Sequence, residues 1–360
     1  MKGRAPKSAA PTKKNSRDKN PDRQSAPSPD SFPIVAIGAS AGGLEAYTEF
    51  FRALPADTGM GFVLIQHLDP SHHSMLTEII AKTTKMPVEE VRSGVAIQPN
   101  RVYVIPPNSK MAIADCVFQL SPRGKAPGQH LAVNFFMHSL AQEHKSRAIG
   151  IVLSGTGADG TAGLEDIKAE GGITFAQDPS SAKYDGMPRS AVDSGCVDFI
   201  LSPKDIAKEI RRIRHHPYVH AERNADAPDG DAGPEMVSST LGKVEQSKEL
   251  ADSVAPVSHE KDFTTILSQL RKTSGVDFSQ YKPNTIHRRA LRRMMILKLD
   301  SLREYAQYLK EHPDEGQKLY DDVLIPVTSF FRDFEAFEAL KTQVYPAVVK
   351  DKASKGTIRM

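Results

Sequence analysis

The sequence predicts a doubly wound α/β fold with a mostly parallel sheet, followed by a linker and a small all-α module. Three observations support this prediction. Over 32–216, short apolar runs alternate with amphipathic helical patterns, which is typical of parallel strands covered by helices on both faces. This alternation stops over 217–258, where Pro, Gly, Ser and charged residues are frequent. From about residue 262 onward the apolar spacing is that of helices alone.

The length and composition fit a globular protein with more than one folded unit. The chain has 360 residues, 39% of them hydrophobic and 25% charged, and a net charge of +3. We divide it into a tail (1–31), an α/β domain (32–216), a linker (217–258) and a helical module (259–360). The tail has eight Lys or Arg, three Asp and almost no apolar residues, so we expect it to be disordered. It lacks aromatic residues that would stack on bases, and we expect no nucleic-acid partner.

No segment predicts a membrane span, a disulfide framework or a metal site. No apolar stretch approaches the roughly 20 residues that cross a bilayer, and no apolar core follows the basic N-terminus as in a secretory signal. Cys116 and Cys196 fall in separate predicted strands. We therefore expect a cytoplasmic protein without membrane insertion. Five histidines lack the spacing of metal ligands and are interpreted as structural or surface residues: His72, His73, His130, His138 and His144.

The first strand and helix of the α/β domain are defined by a glycine-rich turn. The apolar run at 34–37 leads into the turn GASAG at 38–42. A strand, sharp turn and helix of this kind lift a serine hydroxyl, here that of Ser40, above the C-terminal edge of a parallel sheet. The glycines allow the tight bend and leave room for a substrate near the backbone. The helix that follows has an apolar stripe: Leu44, Tyr47, Phe51 and Leu54.

The next elements continue the alternation. A buried strand ending at His67 is predicted by GFVLIQH, and a helix start at 69–71 precedes an apolar face. Over 88–120, an antiparallel excursion is predicted by the short β runs VYVIPPN and KMAIADCVFQL. The buried face of the helix after His67 consists of Leu76, Ile79 and Ile80.

The second half of the domain repeats the pattern. A helix over about 133–143 is followed by the buried strand RAIGIVLSG, a glycine-rich loop and a further helix. Further strands are predicted by GGITFAQ and CVDFIL. The last helix has Ser202 as its N-cap and Pro203 in its first turn. Beyond the linker, helical spacing recurs in FTTILSQLRK, TIHRRALRRMMILKL, SLREYAQYLK and FEAFEALKTQVYPAVV.

Three reactive residues, Ser40, His67 and Asp159, each follow a predicted strand. If these strands are parallel neighbours, the side chains emerge at the sheet edge where doubly wound folds bind ligands. A neutral histidine can take the proton of a serine hydroxyl, and a carboxylate can orient the histidine and stabilise the imidazolium. The order of the three along the chain is not that of the α/β-hydrolases. The pattern therefore predicts a serine hydrolase without predicting that topology.

Each of these residues also has a simpler interpretation, which for His67 is a structural histidine at a strand end. A glycine-flanked serine can be an ordinary βα turn or a phosphate-binding loop. However, the sequence has no G-K-[ST], and no acidic residue stands at a second strand end about 20 residues on, as a dinucleotide site would need. Asp178 competes with Asp159 as the acid, but it can also cap the turn at Pro179. Ser154 is a second candidate nucleophile without the glycine spacing. From the residues alone, a serine hydrolase and a ligand-binding α/β domain both remain open.

Four motifs carry a family resemblance across about 32–216. In chain order they are GASAGG, LIQH, the SGTGADG loop and DGMPRSA, and they resemble the chemotaxis protein-glutamate methylesterase catalytic domain (CheB type). The resemblance implies Ser40 as the nucleophile, His67 as the base and Asp159 as the orienting carboxylate. It implies hydrolysis of glutamate γ-methyl esters on chemoreceptor cytoplasmic helices, in some members glutamine deamidation, and no cofactor. The implied oxyanion and substrate contacts are Ala41, Gly157 and Met187.

The resemblance has departures. Ala41 stands where threonine is frequent, and Thr156 where methionine is frequent, which affects rate and substrate positioning and not the reaction class. Esterases of this type usually follow a phosphorylatable receiver domain, whereas only a short tail precedes Ser40. We therefore expect no control by aspartyl phosphorylation within this chain. Other chemotaxis signalling proteins are further expected partners, and a non-catalytic signalling scaffold is the alternative function.

The C-terminal segment resembles the N-terminal part of the chemotaxis receptor methyltransferases (CheR type). The resemblance is carried by DFSQYKPNTIHRRALRRMM and YDDVLIPVTSFFRD. Thr328 and Arg332 match positions near the S-adenosylmethionine pocket. Because the sequence ends at TIRM, before a cofactor-binding domain, we expect no methyl transfer and no S-adenosylmethionine binding without that domain. A basic helix face implied to meet the receptor, or else a solvated charged face, consists of Arg288, Arg289, Arg292 and Arg293.

Overall fold

A computed structural model describes residues 32–66, 75–122, 131–214, 216–220, 256–279, 281–324 and 342. The strands are β1 (Ile34–Ala39), β2 (Gly61–Gln66), β3 (Val88–Glu90), β4 (Arg101–Val104), β5 (Ser109–Ala114), β6 (Val117–Pro122), β7 (Ala148–Val152), β8 (Ile173–Gln177) and β9 (Phe199–Leu201). The first seven helices are α1 (Gly43–Ala53), α2 (Leu76–Thr83), α3 (Ala132–His144), α4 (Thr161–Ala169), α5 (Gly186–Asp193), α6 (Pro203–Ile213) and α7 (Pro217–His220). The remaining helices are α8 (Pro256–Ser274), α9 (Pro283–Leu297), α10 (Leu302–Glu311) and α11 (Pro313–Val323).

Seven strands form one sheet in the order β3-β4-β2-β1-β7-β8-β9, and every neighbouring pair is parallel. This confirms the predicted doubly wound parallel sheet. Strand β1 lies between β2 and β7, so the chain builds outward on one side of β1 and then returns to its other side. The carboxyl ends of β1 and β7 therefore flank the topological switch point, where open α/β sheets bind ligands.

The sheet is covered on both faces, since β1 and β7 at its centre are apolar and buried at every position. In β1, Val35 and Ile37 face the layer that contains α1 and α6, whereas Ile34 and Ala36 face α3. This alternation follows from the two-residue period of a strand. At Gly38, a Cβ atom would lie 2.3 Å from Cγ1 of Val133. Glycine at this position therefore lets α3 approach the end of β1 closely.

Part of the segment at 88–120 differs from the expected antiparallel excursion. Strand β4 belongs to the main sheet and is parallel to both β2 and β3. Its residues Val102, Tyr103 and Val104 are buried on both faces, which only a strand inside the sheet provides. The antiparallel prediction is therefore wrong for β4 and right for β5 and β6, which form a separate hairpin.

The ends of the predicted α/β domain agree with the structure only in part. The last helix of the sheet layer, α6, starts as predicted, because Ser202 Oγ accepts a hydrogen bond from the N–H of Asp205 at 3.2 Å. The expected linker, however, begins with a short helix, α7, whose Tyr218 and Val219 are buried in the core. The predicted tail at 1–31 and the rest of the linker up to 255 lie outside the described residues.

Helices α8 to α11 form a second, all-helical unit, in agreement with the helical spacing of the sequence. Ser301 caps α10 by accepting a hydrogen bond from the N–H of Glu304. Within the part of the chain that the structure describes, none of the helices has the length and apolar character needed to cross a bilayer. The core of the helical unit is lined by Ile266, Leu270, Ile286, Tyr305, Leu309 and Leu319.

Candidate active site

Ser40 directly follows β1 and is half-buried in the turn that starts α1. The carbonyl of Ser40 accepts a hydrogen bond from the N–H of Gly43 at 2.9 Å. Gly42 has a φ of 73°, and a Cβ atom there would lie 2.6 Å from Oγ of Ser154. The turn therefore needs glycine both for its left-handed backbone and for its close packing. It presents the hydroxyl-bearing residue at the switch point of the sheet.

The peptide bond between Ser40 and Ala41 is oriented by the first turn of α1. Its carbonyl points toward Gly43. Because the C=O and N–H of a trans peptide point in opposite directions, the N–H of Ala41 points away from α1. A backbone N–H held beside a nucleophile is the type of donor that stabilises an oxyanion. The turn thus orients the Ala41 donor before any substrate binds.

Ser154, in the loop after β7, holds the turn that carries Ser40 from the other side. The N–H of Ser40 donates to the Ser154 carbonyl at 3.0 Å, and Ser154 Oγ donates to the carbonyl of Ala41 at 2.9 Å. Ser154 is itself anchored, because its N–H donates to Oε1 of Gln177 at 2.9 Å and its Oγ accepts from the N–H of Tyr184 at 3.0 Å. Its side chain is 1% exposed. A buried, fully engaged hydroxyl supports a structural role for Ser154.

Asp159 lies in the loop between β7 and α4, and its carboxylate caps α3. Oδ2 accepts a hydrogen bond from the N–H of Val133 and Oδ1 from the N–H of Asn134, each at 3.0 Å. The carboxylate is buried, with 4% exposure. Two charge-assisted hydrogen bonds and the positive end of the helix dipole offset its desolvation. Each oxygen can accept a second hydrogen bond, so capping leaves acceptor capacity for an imidazole.

Asn134, in the first turn of α3, in turn caps the start of α4. Its Oδ1 accepts hydrogen bonds from the N–H groups of Gly160 and Gly163, at 2.8 and 2.9 Å. Asp159, just before α4, thus caps α3, and Asn134 of α3 caps α4. This reciprocal pair holds the loop that carries Asp159 against the sheet edge. Sequence reasoning missed it because the partners are about 25 residues apart.

The third reactive residue of the sequence prediction, His67, lies outside the described residues. Strand β2, which ends one residue before it, pairs with β1 so that Gln66 is opposite Ala39. Nε2 of Gln66 donates to the Ser40 carbonyl at 3.5 Å. Its buried Oε1 has no hydrogen-bond partner among the described residues. The meeting of all three reactive side chains therefore stays a prediction.

Met187, at the start of α5, lies beside the turn that carries Ser40. Its N–H donates to the Gly155 carbonyl at 2.9 Å. A Cβ atom on Gly155 would lie 2.1 Å from the Met187 sulfur and 3.1 Å from Cβ of Ser40. Glycine at 155 therefore allows the thioether and the serine to approach each other closely. Gly157, the third residue expected at the oxyanion or substrate, has a φ of 83° in the exposed part of the same loop.

The other sequence candidates have structural partners. Asp178 accepts a hydrogen bond from the N–H of Ser180 at 2.9 Å, which lowers the pKa of this carboxyl and supports the capping interpretation. Cys116 and Cys196 are buried, and neither forms a disulfide bond. Within the described ranges, no group of His, Cys, Asp and Glu could hold a metal ion. Thr328 and Arg332, expected near a cofactor pocket, lie outside those ranges.

The basic face expected on α9 is not open to solvent. Arg289 and Arg292 are buried, and Arg293 donates two hydrogen bonds of 2.7 Å to the carboxylate of Glu315. Arg288 is half-buried. The expectation of an exposed surface formed by these four arginines is corrected, because the neighbours of α9 cover most of it.

Both units match known families. Residues 35–210 match the sequence model described as CheB methylesterase, and residues 261–324 match the one described as CheR methyltransferase, all-alpha domain. A putative protein-glutamate methylesterase/protein-glutamine glutaminase of Leptospira interrogans is 30% identical over 184 residues, which are 51% of this chain and 95% of that protein. The protein-glutamate methylesterase/protein-glutamine glutaminase of Pyrococcus horikoshii is 31% identical over 188 residues, which are 50% of this chain and 51% of that protein.

A further relative covers both units. The "uncharacterized 104.1 kDa protein in hypE 3′region" of Rhodobacter capsulatus is 33% identical over 286 residues, which are 79% of this chain and 29% of that protein. The chain thus spans about a third of this relative and about half of the Pyrococcus horikoshii one. The Thermotoga maritima CheB methylesterase catalytic domain, a crystal structure, is 26% identical with a TM-score of 0.48, covering 51% of this chain and 99% of that one.

Proposed function

Because the chain belongs to the protein-glutamate methylesterase (CheB) family, we propose that it hydrolyses glutamate γ-methyl esters on the cytoplasmic helices of chemoreceptors. One observation carries the proposal: Ser40 stands at the topological switch point on a turn that Ser154 holds rigidly. Asp159 is held on the neighbouring loop. A serine and a carboxylate that follow the neighbouring strands β1 and β7 at the same edge suit acyl transfer, with His67 as the base between them.

In the proposed reaction, Ser40 Oγ attacks the ester carbonyl carbon while His67 takes its proton. The N–H of Ala41 stabilises the oxyanion, and Asp159 orients the imidazole and stabilises its charged form. The C–O bond then breaks, and His67 gives the proton to departing methanol. Water, activated by His67, attacks the acyl-enzyme and releases glutamate. Side chains and backbone supply every group, so the reaction needs no cofactor.

The same residues would also hydrolyse a glutamine side chain. The acyl-enzyme would be identical, and ammonia would leave in place of methanol. Because an amide nitrogen leaves less readily than an ester oxygen, we propose deamidation as the slower activity. The paired names of the relatives, methylesterase and glutaminase, support this dual activity.

Labelling with a fluorophosphonate tests whether Ser40 is an activated nucleophile. We expect mass spectrometry to find the phosphonyl group on Ser40 and none on Ser154, because the Ser154 hydroxyl is buried and engaged. The Ser40→Ala variant should lose the label, whereas Ser154→Ala should keep it. A wild-type protein that remains unlabelled at Ser40 would favour the non-catalytic scaffold.

The Ser154→Ala variant tests whether this residue positions the nucleophile. The hydroxyl holds the Ala41 carbonyl, and a hydrogen bond of this kind contributes about 1 kcal/mol. We expect kcat to fall about fivefold with KM nearly unchanged, because the turn loses its alignment and the substrate contacts remain. The matched control is Ser194→Ala, which removes a hydroxyl at the far end of α5 that donates to the Ala191 carbonyl. Equal kcat values in the two variants would show that the Ser154 hydroxyl does not position Ser40.

A further inference from the structure

One arginine of the helical unit, Arg292, is buried between the two units. It lies on α9, and its side chain is 1% exposed. Its Nη2 donates to Oδ2 of Asp198 at 2.6 Å, and its Nη1 donates to Oδ2 of Asp322 at 3.0 Å. Asp198 directly precedes β9 of the sheet, whereas Asp322 belongs to α11. A single guanidinium thus joins one carboxylate of each unit.

The surroundings of Arg292 satisfy both the cation and its partners. Its Nε and Nη2 also donate to the carbonyl of Gly172, at 3.2 and 3.1 Å. Oδ2 of Asp198 accepts a further hydrogen bond from the N–H of Thr174 at 3.1 Å. Burial disfavours the charged guanidinium, but the charges of Asp198 and Asp322 outweigh this effect and raise the pKa of Arg292. The buried charge is therefore balanced on both sides.

A second arginine of α9 packs against the same edge of the sheet. A Cβ atom on Gly171 would lie 2.7 Å from Nη1 of Arg289 and 3.2 Å from the hydroxyl oxygen of Tyr218. The hydroxyl of Tyr218 donates to the Gly171 carbonyl. Gly171 also has a φ of 87°. Glycine at this position therefore allows both α7 and α9 to reach the backbone before β8.

The C-terminal end of α9 makes an independent contact with α6. Nη2 of Arg212 donates to the carbonyl of Met295 at 2.6 Å, and Nζ of Lys298 lies 3.5 Å from Oε2 of Glu209. The side chain of Met295 is fully buried in the apolar core shared with Ile210. The contact between the units thus combines apolar burial with close packing and ion pairs from Arg289 to Lys298, just past the end of α9.

This contact lies on the edge of the sheet opposite Ser40. Gly171, Gly172 and Asp198 stand before the first residues of β8 and β9, whereas Ser40 follows the last residue of β1. Because all these strands are parallel, the amino ends and the carboxyl ends lie on opposite edges. The docked helix α9 therefore leaves the nucleophile edge to the substrate.

We infer that the side of α9 that carries Arg289 and Arg292 is an intramolecular docking surface whose partner is the α/β unit of the same chain, centred on the Arg292–Asp198 pair. The docked units unfold together, because separating them would expose the buried side chain of Met295 to water and break the Arg292–Asp198 ion pair. A partner that recognises Arg289 or Arg292 must first displace the α/β unit. This inference concerns residues far from Ser40, and it stands or falls independently of the proposed esterase activity.

Cleavage between the units in the full-length protein tests this inference. A specific protease site is introduced at about residue 240, and the cut protein is passed through gel filtration at 0.15 M salt. We expect the two pieces to elute together, because buried ion pairs are screened only weakly. Elution of the wild-type pieces as two separate species would overturn the inference, whatever the variants do.

The Arg292→Met variant tests the central pair. Removing one partner of a buried ion pair is strongly destabilising, so we expect the uncut variant to lose about 10 °C in Tm and its cut pieces to separate. The control is Arg303→Met, which removes an exposed arginine of α10 and should leave Tm and elution unchanged. A Tm for Arg292→Met equal to that of the control would show that this pair does not hold the units together.

Discussion

Replacing Ser40 with alanine is expected to lower kcat for methanol release by about a millionfold, the scale of losing the nucleophile of a catalytic triad. Alanine has no oxygen that could form the acyl-enzyme. The fold should be unaffected, since the contacts of Ser40 with Ser154 and Gly43 are made by its backbone. The measurement is methanol released from a methylated chemoreceptor fragment, together with Tm to show that the variant is folded.

The control for this experiment is Ser121→Ala, which removes an exposed hydroxyl at the end of β6. It should release methanol at the wild-type rate. A Ser40→Ala protein that is folded and still releases methanol at more than a hundredth of that rate would exclude Ser40 as the nucleophile. Some catalysis over the reaction in water should persist, because the oxyanion donors remain.

The Asp159→Asn variant is expected to lower kcat about ten-thousandfold, because an amide orients the wrong tautomer of the base and cannot stabilise its cation. Its effect on stability should be small. The carboxylate accepts hydrogen bonds from Val133 and Asn134 through separate oxygens, and an amide retains only one of them. The loss of the other costs about 1 kcal/mol, which chemical denaturation can measure beside kcat.

Asn134→Ala is the matched control for the capping role of Asp159. It removes the reciprocal cap of Gly160 and Gly163 and should cost about 1 kcal/mol of unfolding free energy, while kcat falls by less than tenfold. The two variants therefore separate catalysis from capping at the same place in the fold. If both lose activity only in proportion to their loss of stability, Asp159 is a helix cap and not an orienting carboxylate.

Most of the α/β architecture could be predicted from local patterns. The apolar run before Ser40, the helix stripe after it and the cap at Ser202 each depend on residues a few positions apart. The spacing of apolar residues and the capping of helices are set by backbone geometry over one or two turns. Both can therefore be predicted from short stretches of sequence. The location of β4 could not be predicted in this way, because its parallel partners, β2 and β3, are chosen by burial across the whole sheet.

The candidate site likewise has features that local sequence motifs could predict and features that they could not. Sequence motifs were enough to select Ser40 and Asp159, because strand ends and glycine turns mark the ligand edge of such a fold. The motifs could not reveal that Ser154 and Gln177 hold the turn at Ser40. A polar glutamine at the end of a buried strand could have indicated that Gln177 has a hydrogen-bonding role. The role of a buried polar side chain depends on its hydrogen-bond partners, and these partners come from distant segments of the chain.

The sequence by itself determined the alternation of strands and helices, the glycine-rich turn at Ser40 and the helical nature of the C-terminal unit. Only the tertiary structure decided that Asp159 caps α3 and that Arg292 faces Asp198. The sequence pattern around a charged residue is the same whether its side chain faces water or a counter-ion. This is because the environment of the side chain is created by elements that fold against it. Burial and pairing of charge are therefore properties of the assembled fold.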